Sequence, residues 1–137
     1  MKHIYHGTVL KDLTILKPLK RYTPGGAELA DRISARIYAT YNPAYAVAHS
    51  FPWSSDDGID IHIHKGIIEL LVPKAKQSVL NQEIYIYTLP DDTFVHTVEE
   101  ETDLTYHSEV AVKPIHCTYF SNVQDAMTKY VGIIKIV

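Results

Sequence analysis

Apolar and polar residues alternate with a period of two in several short stretches of this chain. The clearest stretch begins at Ile59, where three isoleucines alternate with Asp60, His62 and His64. Successive side chains of a β-strand point to opposite faces, so this spacing predicts a strand with one apolar face. Further strands are predicted over residues 2–5, 36–40, 67–72, 84–89, 93–98, 109–112 and 131–137. Strands therefore dominate the predicted fold.

Short helices are predicted between these strands. Asn42 and Pro43 provide an N-cap and a first-turn proline for a helix over residues 44–48. Other helices are predicted over residues 27–35, after the Thr-Pro-Gly-Gly turn at 23–26, and over residues 122–130, and one helical turn followed by a loop is predicted within 10–19. We predict a single domain over residues 1–137 of the α+β class, with a strongly twisted, mainly antiparallel β core and a few short helices.

Charge and cysteine content exclude several classes of protein. Thirteen Lys and Arg residues against sixteen Asp and Glu residues give a net charge of -3, which disfavours general binding to nucleic acids or anionic membranes. The chain has neither a long apolar run nor a secretion-signal profile at its N-terminus, so we expect a cytoplasmic protein. Cys117 is the only cysteine, which excludes a disulfide framework, and we expect it to be buried.

Three residues at predicted strand positions are candidates for a functional site. His6 ends the first strand before Gly7, Tyr38 lies in the strand before the alanine-rich helix, and Glu109 opens a late strand. This order resembles the ADP-ribosyltransferase-like superfamily, in which a His, a Tyr and a Glu on three separate strands line an NAD cleft. The segments YHGT (5–8), IYAT (37–40) and SEV (108–110) carry the resemblance.

The resemblance implies an ADP-ribosyltransferase-like fold and NAD as a substrate. Its implied activity is transfer of ADP-ribose to an unknown acceptor, or NAD hydrolysis, with release of nicotinamide. The backbone of Gly7 would hold the nicotinamide carboxamide, Tyr38 would stack on the ring, and His6 would bond a ribose hydroxyl. Glu109 would stabilise the oxocarbenium-like transition state. These three side chains are then expected on one concave surface, with Tyr5 and Val110 pointing into the core.

Further residues follow from the same resemblance. Family members usually carry a second stacking tyrosine on the helix after the first, and here that position is His49, with Tyr45 and Phe51 nearby. Transferases that modify arginine often have Glu or Gln two residues before the catalytic Glu, where this chain has His107, so arginine is not favoured as the acceptor. The residues expected to bind NAD are His6, Gly7, Thr8, Arg36, Tyr38, Tyr45 and His49.

Arginine would contact the pyrophosphate of NAD, since guanidinium groups bind phosphates in a bidentate fashion. The candidates are Arg21, Arg32 and Arg36, of which we expect at least one to face the cleft. The RNA 2′-phosphotransferases of the same family need a more basic cleft than these residues provide, and that activity is disfavoured.

Two alternatives remain open at this level. The first is a noncatalytic nucleotide-binding or interaction module with the same fold, which the histidine at position 49 favours. The second is a metal-dependent enzyme in which His62 and His64, on one face of a strand, are joined by His107 or His116. Polar alternation in an amphipathic strand explains the first two histidines without a metal.

Overall fold

The computed structural model describes residues 2–18, 35–53, 55–96 and 103–137. Within these ranges the strands are β1 (His3–Thr8), β2 (Ile37–Ala39), β3 (Asp60–His64), β4 (Ile67–Val72), β5 (Ile84–Pro90), β6 (Tyr106–Ser108), β7 (His116–Phe120) and β8 (Ile133–Ile136). The α-helices are α1 (Pro43–Ala48) and α2 (Val123–Lys129), and 3-10 helices span Ser55–Asp57 and Lys74–Asn81. No helix of the described ranges has the length and apolar character that a membrane crossing requires.

The strands form three small sheets in the described ranges. The first has the order β1-β5-β7, the second pairs β2 with β6, and the third has the order β3-β4-β8. All pairings are antiparallel except that of β4 with β8. The predicted α+β class, with mainly antiparallel strands and a few short helices, is confirmed.

The central strand β5 divides the apolar core into two clusters. Ile84 and Ile86 pack with the two α-helices on one side, whereas Tyr87 and Leu89 pack with Ile4 and β2 on the other side. All five side chains are at most 1% exposed. Alternate residues of β5 therefore fill both clusters, and each buried aliphatic side chain contributes roughly 1.5–3 kcal/mol to stability.

Helix α1 begins where the sequence predicts and packs directly on β1. The Asn42 side chain accepts hydrogen bonds from the N–H groups of Ala44 and Tyr45, at 3.0 and 3.3 Å. The helix then crosses Gly7 so closely that a Cβ atom there would lie 2.2 Å from the carbonyl oxygen of Ala46. Gly7 thus permits the close approach of α1 to β1.

The late strand differs from its prediction. β6 ends at Ser108, and Glu109 follows the strand instead of opening it. The Ser108 hydroxyl donates to the Val110 carbonyl at 2.9 Å and accepts from its N–H at 3.3 Å, and this turn ends the strand. Val110 is 53% exposed, so its predicted place in the core is wrong, while Tyr5 does pack against the core.

The segment predicted as a helical turn is held in an irregular conformation over residues 10–18. The Tyr87 hydroxyl donates to the Leu10 carbonyl at 2.9 Å and accepts from the Leu13 N–H at 3.1 Å. Leu16 then forms an antiparallel bridge with Val112. These long-range contacts replace the local helix. The predicted turn at 23–26 and nearly all of the predicted helix over 27–35 lie outside the described residues.

Some remaining elements also depart from prediction. Strand β7 and the 3-10 helix Lys74–Asn81 were not predicted, whereas the strands over 67–72 and 84–89 and the helix over 122–130 are confirmed. In the predicted strand over 93–98, Val95 forms an isolated bridge with His107, and residues 97–98 lie outside the described ranges.

The phenol of Tyr41 is expected to titrate far above its ordinary range. Its hydroxyl donates to Asp91 Oδ2 at 2.7 Å, and this bond, with partial burial and the nearby carboxylate charge, raises the pKa of Tyr41 from 10.0 to about 12. Because the folded state favours the neutral phenol, its contribution to stability is complete below the unfolded pKa and is lost as pH rises through about 12. Alkaline titration of tyrosinate absorbance, compared between the wild type and Tyr41→Phe, measures this. A difference curve centred near 10 would contradict it.

Candidate active site

His6 is bonded directly to the strand that carries Tyr38. The His6 Nδ1 lies 2.6 Å from the backbone carbonyl oxygen of Tyr38. A carbonyl oxygen can only accept, so Nδ1 carries the proton, and Nε2 is the acceptor nitrogen of the neutral ring. The geometry therefore joins two of the three predicted site residues and fixes the tautomer of the histidine.

This bond lies where β1 and β2 separate. The Tyr5 N–H donates to the Thr40 carbonyl at 2.8 Å, and the Thr40 N–H donates to the Tyr5 carbonyl at 2.9 Å. Continued in the same antiparallel register, the next such pair would be Gly7 with Tyr38. Within the described ranges the bridge between these strands stops at Tyr5 and Thr40. The His6 imidazole bonds the Tyr38 carbonyl instead, and we call the place where a Gly7–Tyr38 pair would have formed the gap between β1 and β2.

The backbone of Gly7 faces this gap. Backbone groups two residues apart on a strand point in the same direction, so the N–H and C=O of Gly7 point as those of Tyr5 do, away from β5 and towards β2. The two groups offer one donor and one acceptor side by side. A carboxamide presents the complementary pair, because its oxygen accepts and its NH₂ group donates.

Tyr38 and Glu109 both neighbour His107 of β6. Tyr38 is directly opposite His107, with ring centroids 6.5 Å apart. Glu109 follows His107 by two residues, and its Oε1 lies 4.0 Å from His107 Nε2. The pairing of β2 with β6 therefore sets Tyr38 opposite His107, whose side chain is the neighbour of Glu109. Side chains alternate along β1, so the His6 side chain leaves the strand on the face that also carries Ile4. From the edge of the strand it bonds the Tyr38 carbonyl.

An aromatic row runs along α1 and the loop that follows it. The rings of Tyr45 and His49 meet edge to face with centroids 4.6 Å apart, and His49 stacks on Trp53 at 5.9 Å. The Trp53 indole donates to the Ala48 carbonyl at 2.7 Å, which fixes the orientation of the indole. Phe51 is 4% exposed and belongs to the core. His49 is thus the exposed ring of this row.

Two residues near the candidate site were not predicted as members of it. Trp53 is not predictable from the sequence, because its stacking on His49 depends on the path of the loop after α1, which has no local sequence signal. The sequence predicts His107 only as a metal ligand and as a residue that disfavours arginine as the acceptor. Its position two residues before Glu109 could have indicated that the two side chains are neighbours.

The other residues predicted to bind NAD differ in where they lie. Arg36 directly precedes β2 and is half-buried. Thr8 ends β1, and its hydroxyl accepts from the Leu10 N–H at 3.2 Å, which is the bonding of a turn residue. Arg21 and Arg32 lie outside the described residues.

The histidines of the metal alternative lie on three different sheets. His62 is exposed on β3 beside Asp60, with Nε2 3.3 Å from Oδ2, while His107 is buried in β6 and His116 is on β7. In the part of the chain that the structure describes, no three His, Cys, Asp or Glu side chains are grouped to bind a metal ion. The geometry gives the metal-dependent alternative no support.

The single cysteine differs from its prediction. Cys117 is exposed, because it lies on β7, an edge strand of its sheet with largely solvent-accessible residues. Its register partner is Tyr87 of β5, and its neighbour His116 precedes it on the same strand. Adjacent strand residues point to opposite faces, so this pair does not form a thiol–imidazole nucleophile.

The chain matches no protein-family model, no curated protein and no solved structure in comparisons with each. The described residues include the backbone donor–acceptor pair of Gly7 and the imidazole of His6 on β1, the ring of Tyr38 on β2 and the carboxylate of Glu109 after β6. This set can orient a flat amide-bearing ring and stabilise positive charge beside it.

Proposed function

We propose that this chain has an ADP-ribosyltransferase-like fold and uses NAD as a substrate, with release of nicotinamide. The observation that carries the proposal is the separation of β1 from β2 at the His6–Tyr38 bond. The Gly7 backbone faces this gap, and Glu109 lies after β6 with Oε1 4.0 Å from Nε2 of His107, the register partner of Tyr38. A cytoplasmic location is part of the proposal, in keeping with a single cysteine and no disulfide framework.

The residues around the gap have separate roles in binding. The Gly7 N–H and C=O bond the nicotinamide carboxamide, and the Tyr38 ring stacks on the nicotinamide face. His6 accepts a hydrogen bond from a ribose hydroxyl through Nε2, because its Nδ1 proton is held by the Tyr38 carbonyl. Arg36 and the exposed ring of His49 complete the proposed contacts with the nucleotide. Together these groups orient the bond that breaks.

Glu109 acts on the transition state. The bond between the ribose C1′ and the nicotinamide nitrogen breaks, and its electron pair leaves with the neutral nicotinamide. Positive charge then spreads over C1′ and the ribose ring oxygen, and the carboxylate of Glu109 stabilises that charge as it develops. A lone pair of the acceptor, or of water, forms the new bond to C1′, and the proton of that nucleophile passes to solvent.

The acceptor is not specified by these residues. His107 has a side chain only 3% exposed, so it does not offer an acceptor a surface contact two residues before Glu109. A guanidinium acceptor would find neither a carboxylate nor an amide at that position. Both transfer to another nucleophile and hydrolysis by water are consistent with the proposed mechanism.

Incubation with NAD labelled in the ADP-ribose portion tests the proposal. Nicotinamide release and label transfer to protein or nucleic acid are measured together. Release with transfer indicates a transferase, and release alone indicates a glycohydrolase. Binding without release would replace the enzyme by the noncatalytic module, which the histidine at position 49 favours. Absence of both binding and release would reject the proposal.

Removing the Tyr38 ring is expected to weaken NAD binding. Aromatic stacking contributes roughly 0.5–1.5 kcal/mol, so Tyr38→Ala should raise the dissociation constant by about two- to tenfold. Tyr38→Phe keeps the ring and should bind NAD about as well as the wild type. Tyr119→Ala removes a 50% exposed tyrosine from β7 and serves as the matched control. Calorimetry measures all three, and unchanged affinity in Tyr38→Ala would contradict the stacking role.

A further inference from the structure

Strand β3 lies at one edge of its three-stranded sheet. Its residues Asp60–His64 pair with β4, and within the described ranges this strand has no other strand beside it. Residues 61–64 line an open groove of about 600 Å³, so solvent reaches the strand along most of its length. The unpaired backbone groups of an edge strand form a template for pairing with a further chain.

The turn after β3 indicates which backbone groups point away from β4. Lys65 and Gly66 have positive φ angles of 52° and 80°, as in a two-residue type I′ hairpin turn. His64 and its register partner flank this turn and form a hydrogen-bonded pair, and such pairs recur at every second residue of an antiparallel ladder. The N–H and C=O groups of Ile61 and Ile63 therefore point outwards, to the open edge.

The Asp60 carboxylate covers one of these outward groups. Its Oδ1 accepts from the Ile61 N–H at 2.8 Å, and its Oδ2 lies 3.3 Å from His62 Nε2. The Asp60 and His62 side chains are 67% and 57% exposed. Polar contacts between groups this exposed contribute little to stability. They can therefore be exchanged for contacts with another chain.

The sequence of β3 is complementary to its own reverse. When two copies lie antiparallel about a two-fold axis at His62, Ile61 faces Ile63 of the second copy and Asp60 faces His64 of the second copy. The facing isoleucines are the residues whose backbone groups point outwards, so they form hydrogen-bonded pairs. The facing carboxylate and imidazole form a cross-strand polar pair, which stabilises antiparallel strands. The symmetry produces each of these pairs twice.

We infer that two copies of this chain associate by antiparallel pairing of β3 with β3, which joins two three-stranded sheets into one sheet of six strands. This inference goes beyond the proposed function and is independent of it. In the dimer the Ile61 N–H donates to the Ile63 carbonyl of the second copy, and Asp60 accepts from His64 of the second copy. A five-residue strand gives a small interface, so the dimer is in equilibrium with the monomer.

Sedimentation equilibrium at micromolar to submillimolar protein concentrations tests this association. The mass of the wild type should rise with concentration towards twice the 15.5 kDa of the chain. Ile63→Pro removes an outward N–H and none of the bonds to β4, and proline is tolerated in this position of an edge strand. The variant should remain monomeric, with the circular dichroism spectrum of the folded wild type. A wild type that is monomeric at every concentration, or a folded Ile63→Pro variant that dimerises equally well, would overturn the inference.

An exchange of the polar residues tests the register of the pairing. His64→Asp sets two carboxylates opposite each other at both ends of the interface, and should raise the dissociation constant of the dimer roughly tenfold or more. The double variant Asp60→His with His64→Asp restores a carboxylate–imidazole pair at the same places, in reversed order. It should recover a dissociation constant close to that of the wild type. Equal weakening in the single and double variants would overturn the proposed register.

A disulfide across the two-fold axis tests the same register covalently. Both proteins carry Cys117→Ser, because Cys117 is itself exposed. The two residues at position 62 form a pair without hydrogen bonds, with Cα atoms about 4.5 Å apart, a distance that a disulfide spans. Oxidation of His62→Cys should give a covalent dimer on nonreducing electrophoresis. Asp60→Cys is the control, since the two residues at position 60 are four residues out of register. Equal crosslinking of both variants would indicate random collision and overturn the inference.

Discussion

Glu109→Gln is expected to lower the rate of nicotinamide release from NAD roughly 100-fold or more, the scale observed when one electrostatic stabiliser is removed. The substitution keeps the shape of the side chain and removes its charge. That charge acts mainly on the oxocarbenium-like transition state and little on bound NAD, so the dissociation constant of NAD should change little. Because this side chain is 56% exposed, the substitution should leave the fold intact.

The control for this prediction is Asp92→Asn. Asp92 is an exposed residue of the turn after β5, and the substitution removes the same charge from a position outside the gap. It should leave both nicotinamide release and NAD affinity at wild-type values. Single-turnover kinetics separate the chemical step from product release in both variants. Full activity in Glu109→Gln would show that another group stabilises the transition state.

The sequence predicted those parts of the fold that are determined by residues close together in the chain. Helix α1 was predictable because Asn42 caps its first turn and a proline follows in sequence. Strand β3 was predictable because its alternation has a period of two. The class of the fold followed from the number of such short elements, without knowledge of how they pair.

The predictions that failed concern parts of the fold that depend on contacts between residues distant in sequence. The segment over residues 10–18 contacts Tyr87 and Val112, and neither contact can be read from its leucine spacing. The end of β6 is set by a hydroxyl of Ser108 that competes with the strand ladder. For the candidate site, the order of His6, Tyr38 and Glu109 was readable, but the His6–Tyr38 bond that separates the strands was not.

Gly7→Ala is expected to destabilise the protein and disturb the gap at the same time. The added Cβ would lie 2.2 Å from the carbonyl oxygen of Ala46 and 2.8 Å from Cβ of Ser50, and neither atom is the flexible end of a side chain. Helix α1 must therefore move away from β1. Overpacking of this kind costs typically 1–3 kcal/mol, which urea unfolding measures directly.

The same displacement should weaken NAD binding, because Gly7 both supports α1 and presents its backbone to the gap. Gly66→Ala is the matched control, since no atom lies within 4 Å of its added Cβ and only its positive φ of 80° opposes the substitution. That strain costs roughly 1–2 kcal/mol, a loss of stability similar to the one expected for Gly7→Ala. Calorimetry should then find weaker NAD binding for Gly7→Ala alone. Equal NAD affinity in the two variants would separate the packing role of Gly7 from ligand binding and remove its backbone from the proposed carboxamide site.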